Sequence, residues 1–211
     1  MHNEYNEALT QLAFGELKKI FAKHIEQRSV VLIALGSYVN PIVPYTHAKN
    51  ASSAINQQLP RQLHKFAESH SAIPVKIFLI DIGYGNDSDI PLSIRSLSDG
   101  WDCSRFDSES KVRVCTKDNI EVITVPLWLN YQTQLSAIEE YIKKVIEADG
   151  IVIFTDAATY EQSDKESIEQ MLQNLKSEQS LNKLLYYNSG SDPDREVNFS
   201  VNLTKDSLEV R

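Results

Sequence analysis

Glycine is scarce in this chain, at seven residues in 211, and no GxGxxG, GxGxG or GxxxxGK[ST] run can be assembled from them. The backbone cradle of a P-loop is therefore missing, which excludes a P-loop nucleotide hydrolase. Cysteine is scarcer still: Cys103 and Cys115 stand alone, with no CxxC spacing and no Cys/His cluster. A disulfide between them is geometrically allowed, and a zinc ribbon is not. The five histidines lack HExxH spacing, and Asn86-Asp87-Ser88-Asp89 lacks the glutamate and fixed glycine of an EF-hand, so no metal is expected. No GxSxG elbow marks a serine nucleophile. Positive charge is also in deficit, with 21 Lys and Arg against 29 Asp and Glu and a net charge of −8. Little offsets repulsion from a phosphate backbone, so general nucleic-acid binding is not expected. No apolar run approaches membrane-spanning length, and the start lacks the basic and apolar regions of a secretory signal. The expectation is a cytoplasmic protein without a membrane partner.

What is present is ordinary globular material, 42% hydrophobic and 24% charged, without repeats or linkers, which predicts one domain over residues 1–211. Leu9, Leu12, Ala13, Leu17, Ile20, Phe21 and Ile25 recur at intervals of three and four, predicting a helix from roughly residue 4 to 27. Residues 29–35, SVVLIAL, form a continuous β-branched run of the kind that a parallel sheet covers on both faces. A helix from Leu59 to about His70 follows, with Pro60 in its first turn, and then a strand over 74–82. In the middle, a short helix is placed near 91–97 before a polar stretch. Lys111 to Cys115 and Ile120 to Leu127 either pair as a hairpin or leave the second segment as a lone core strand. A helix closed by Asp149-Gly150, a strand over 151–155, another helix and a strand over 183–188 come next. The alternation of Val197, Phe199, Val201 and Leu203 predicts a last strand at an edge. Together these predict an α/β fold, a doubly wound, mainly parallel Rossmann-like sheet with helices on both faces and a C-terminal edge strand.

Sheets of that kind bind ligands outside the carboxyl ends of their strands. The first such segment, 36–58, is longer than most βα connections and holds Gly36, Ser37, Asn40, Gln57 and Gln58. It reads either as a ligand loop or as a surface connection. Gln57-Gln58 directly before a helix start, where free backbone NH groups gather, favours the ligand. Asp81 ends the second strand, where a carboxylate reaches ribose hydroxyls, and Gly83 and Tyr84 lie in the turn behind it. Asp156 and Tyr160, after the third strongly apolar strand, are the substrate-binding candidates. The partner expected is a small-molecule nucleoside ligand or, alternatively, a protein held by the long loop and acidic surface.

The order of a leading helix, an apolar strand ending in Gly36-Ser37, a helix and a strand ending in Asp81 resembles the S-adenosylmethionine-dependent methyltransferases of Rossmann-like fold. LIALGS followed by FLIDIGYGND is similar to their viral cap-methyltransferase branch, over roughly residues 5 to 90. The resemblance implies S-adenosylmethionine as cofactor, with Gly36 and Ser37 beside its methionine part and Asp81 on its ribose. It also implies methyl transfer. The gap from Gly36 to Asp81 is longer than the family's, and neither an NPPY motif nor a set of catalytic lysines occurs, so no catalytic residue carries over. A non-catalytic interaction domain is the second expectation.

Overall fold

Six consecutive side chains, Val30 to Leu35, are each 0% exposed and form strand β1. A strand buried on both faces needs a neighbour on each edge and a packed layer on each side. The computed structural model describes residues 17–35, 54–81, 100–110, 112–126, 131–156, 162–178, 182–188 and 199–211. In it β2 (Val75–Asp81) and β6 (Ile151–Asp156) flank β1 in parallel, from Val30↔Val75 and Val30↔Ile151 to Leu35↔Ile80 and Leu35↔Asp156. Strands β5 (Ile120–Pro126) and β7 (Leu184–Asn188) extend the parallel set, and β4 (Arg113–Lys117) and β3 (Asp102–Phe106) add antiparallel to β5. The seven-stranded order is β3-β4-β5-β2-β1-β6-β7.

Alternation along the strands sends side chains to two separate cores. Val31, Ile33 and Leu35 join the first, with Leu17 and Phe21 of α1 (residues 17–22 of which are described) and the apolar faces of α3 (Tyr131–Glu147) and α4 (Gln162–Glu178). Val30, Leu32 and Ala34 join the second, under Leu59, Leu63 and Ala67 of α2 (Ala54–Ser69). That core also takes Leu208 and Val210 from a small hairpin, β8 (Val201–Leu203) and β9 (Leu208–Val210). Each fully buried large apolar side chain contributes roughly 1.5–3 kcal/mol, so β1, serving both cores, anchors the fold. At the end of α3 it is Asp149 that adopts the left-handed φ of 56°, and Gly150 is needed for space. A Cβ there would lie 2.7 Å from Val145 Cγ1 and 2.9 Å from the Ser29 carbonyl oxygen. No helix among the described residues is long and apolar enough to cross a membrane.

The fold departs from the doubly wound, mainly parallel Rossmann-like sheet that the sequence predicts. The sheet is mixed: β3, β4 and β5 run antiparallel at one flank, because the turn at Asp118, with φ 51°, folds β4 straight back onto β5. The expected C-terminal edge strand is also replaced. Thr204 and Ser207 exchange backbone and hydroxyl hydrogen bonds that reverse the chain, so β8 pairs with β9 in a separate sheet and β7 is the edge of the main one. Strand β3 was not expected at all, since its side chains are mostly exposed and show no apolar alternation. Helix α1 ends at residue 22, where Lys23 and His24 donate to carbonyls three residues back and tighten the last turn. The region of the expected helix near 91–97 lies outside the described residues.

Candidate functional site

The carboxyl edge of the sheet is where the sequence places its candidates. Gly36, Ser37, Asn40, Gly83, Tyr84 and Tyr160 lie outside the described residues, and for Gln57, Gln58 and Asp81 the description extends to the backbone. Helix α2 begins at Ala54, so Gln57-Gln58 lie inside it, and the free NH groups of its first turn start at 54. Pro60 accordingly falls in the second turn. Asp81 ends β2 opposite Pro126, and Asp156 ends β6 opposite both Leu35 and Asn188. Asp156 is 1% exposed and alternates with Phe154, which puts it on the side of α3 and α4. Burial, and after it the charge of Asp156, holds the Tyr186 phenol well above the usual range.

One residue before the ends of β1 and β6 and two before those of β2 and β5, on the α2 side, a register row crosses the sheet: Arg113 opposite Thr124, Thr124 opposite Leu79, Leu79 opposite Ala34, Ala34 opposite Thr155, and Thr155 opposite Tyr187. Thr155 is 0% exposed and Thr124 8%, and among the described residues neither hydroxyl has a hydrogen-bond partner. A buried hydroxyl without a partner costs about 1–3 kcal/mol, and the row holds two of them, with the buried Ser29 hydroxyl before β1 a third elsewhere. Three strand spacings separate the two threonines, about 14 Å. The structure thus brings Asp81 and Asp156 to one edge of the sheet and puts Asp156 on the face away from the threonine row.

At the opposite, amino end of β2 and β5 lies a second site that the sequence reading passed over. Lys76 and Glu121 are register partners, and the Lys76 side chain is 2% exposed. Its ammonium donates to Glu26 Oε1 at 3.0 Å and pairs with Glu121 Oε2 at 3.6 Å. Glu121 also lies 3.3 Å from His24 Nδ1 and 3.4 Å from Arg105 Nη2. The hydrogen bond from His24 holds the Glu121 carboxyl down to about 2, with Lys76, His24 and Arg105 adding their charge against the opposing effect of burial. The Tyr141 hydroxyl donates to the His24 carbonyl at 2.7 Å, fixing the turn that carries the imidazole. Burial, then Glu26 and Glu121, keep that phenol protonated far above its ordinary range. A cleft of about 630 Å³ opens over this cluster.

A disulfide and a bulge build the wall of the cleft. Asp102 pairs with Thr116 but Arg105 with Val114, so β3 carries one extra residue between them. Without it, Cys103 and Arg105 would share a face. With it, Cys103 reaches Cys115 in the α2-side core through a disulfide, and Arg105 reaches Glu121 on the other side.

The signal for this second site was present in the strand sequences: a lysine and a glutamate near the starts of the apolar runs PVKIFLIDI and IEVITVP. Isolated charges in strands buried on both faces call for partners. Which partners they find is set by register and by the bulge, and neither can be read from composition. No protein-family model, curated protein or solved structure matches the chain.

Proposed function

We propose that this α/β domain binds a nucleoside-containing small molecule across the carboxyl edge of β5, β2, β1 and β6, with S-adenosylmethionine as the first ligand to test. The pair of orphaned hydroxyls, Thr124 and Thr155, within one register row carries the reading. Its span of about 14 Å suits an extended nucleoside derivative, and a ligand there would give the two hydroxyls the partners they lack. Asp81, two residues beyond the row at the end of β2, supports a ribose contact. Methyl transfer from the bound cofactor is the activity the reading implies, and no catalytic residue is assigned. A cytoplasmic location, expected from composition, sits poorly with the Cys103–Cys115 disulfide, since such bonds persist in oxidising surroundings.

The test is calorimetry and thermal shift with S-adenosylmethionine and its demethylated product, with NAD and ATP as controls. The wild type is expected to bind, and Asp81→Ala and Thr155→Val each to weaken binding about tenfold, the value of one lost polar contact. Absence of binding by every nucleoside compound at millimolar concentration would leave the interaction-domain reading in its place.

A further inference from the structure

We propose that the cleft over Lys76 binds a small organic anion, a carboxylate or phosphate carried on a flat apolar body. This site is separate from the nucleoside reading and lies at the other end of the sheet. Its volume, about 630 Å³, is in the range of small-ligand sites. Four cationic side chains line it, Lys19, Lys23, Lys76 and Arg105, against three carboxylates, Glu26, Asp107 and Glu121. That is a local excess of positive charge in a chain of net charge −8.

The direction of the unused hydrogen-bonding capacity decides the ligand class. Glu121 is surrounded by Lys76, His24 and Arg105, Glu26 accepts from Lys76, and Asp107 accepts from the backbone NH groups of Glu109 and Ser110. All three acids are engaged. Arg105, by contrast, touches Glu121 through Nη2 alone, leaving most of its five N–H donors free, and Lys23 acts on Asp107 through its charge without a hydrogen bond to it among the described residues. What the cleft offers a ligand is therefore donors, which suit the oxygens of an anion. Ile20, Val112 and Val114 give it an apolar wall, and Phe106, 46% exposed, adds a ring at the lining. The Arg113 guanidinium lies over that ring, 4.7 Å from its centre, which steadies it as a contact surface. The bulge in β3 is what delivers Arg105 to this side.

Calorimetry and amide chemical-shift mapping on the oxidised full-length chain test the proposal, with benzoate and phenyl phosphate as probes and benzyl alcohol as the neutral control. Both anions are expected to bind saturably, with the largest shifts at 105, 106 and 112–114, and the tighter of the two identifies the headgroup. Arg105→Ala should weaken binding about tenfold, the value of one charged hydrogen bond, and Arg105→Lys should restore part of the loss. Arg105 is 57% exposed, so its replacement leaves the fold intact, and Lys23→Ala gives an independent loss. Equal affinity for benzyl alcohol, unchanged affinity in both variants, or shifts confined to the carboxyl edge would each overturn the proposal. The nucleoside titration is read at different residues, so either reading can fail alone.

Discussion

The two ends of the sheet are built by opposite means. Near the carboxyl edge, one register row holds Thr124 and Thr155, two buried hydroxyls without partners among the described residues. At the amino end, His24, Glu26, Lys76, Arg105 and Glu121 are tied together by ion pairs, with the Lys76 ammonium almost fully buried. Polar groups that satisfy one another stabilise the apo fold, and buried groups left unsatisfied weaken it. Substitutions within the buried Lys76, Glu26 and Glu121 set should therefore act on stability, and those at the exposed Arg105 or at the threonine row on binding.

The largest effect is expected at Lys76. Lys76→Ala leaves Glu121 and Glu26 facing each other without their shared cation, and should cost about 3 kcal/mol, the low end for breaking a buried pair because both acids are partly exposed. The double variant Lys76→Met with Glu121→Leu removes the charges together and should cost less than Lys76→Ala alone. Urea denaturation of the three proteins measures both. A double variant as unstable as the single would mean that the cluster is not held by charge pairing.

Reduction of Cys103–Cys115 comes next. The bond closes a short loop, with a sequence separation of 12, so opening it should lower stability by about 2–3 kcal/mol. The loss should be local. Strand β3 buries little apolar surface, whereas β1 is covered throughout, so hydrogen exchange under dithiothreitol should quicken at 102–106 and leave 30–35 protected. Uniform loss of protection would contradict the picture of a covalently held wall.

Acid titration should show a smaller effect of definite sign. The Glu121 carboxyl falls from 4.5 to about 2 on folding, so its contribution is fully present above 4.5 and is lost as the pH drops through about 2. Glu121→Gln should flatten the stability profile in that window and leave the slope above pH 5 unchanged. A parallel profile would show that other carboxylates dominate acid unfolding.

Much of the sheet was legible because apolar β-branched runs report burial directly: 29–35, 74–82, 151–155 and 183–188 fall on β1, β2, β6 and β7. Strand β3 was invisible for the converse reason, being exposed and fixed by a disulfide and a bulge. The tail shows a third case. Its alternation described β8 correctly as a strand, but the partner depended on the turn at Thr204 to Ser207, a local feature that alternation does not encode. Of the candidate site, strand order was enough to place Asp81 and Asp156 at an edge. The amino-end cluster draws on residues 24, 26, 76, 105 and 121, and nothing in sequence spacing joins them.

Thr155→Val gives the smallest change in stability and the sharpest contrast between the two ends. Valine keeps the shape of threonine and removes a hydroxyl that is 0% exposed and without a partner among the described residues. The apo protein should therefore gain about 1 kcal/mol, the reverse of what is expected when polar groups of the Lys76 cluster are removed. If a nucleoside ligand supplies the missing partner, the same variant should bind it more weakly, so that stability and affinity move in opposite directions. Thermal melts with and without S-adenosylmethionine read both quantities from one sample. A variant that is destabilised in the apo state would show that the hydroxyl already has a partner, and the carboxyl edge would then lose its strongest claim to a ligand.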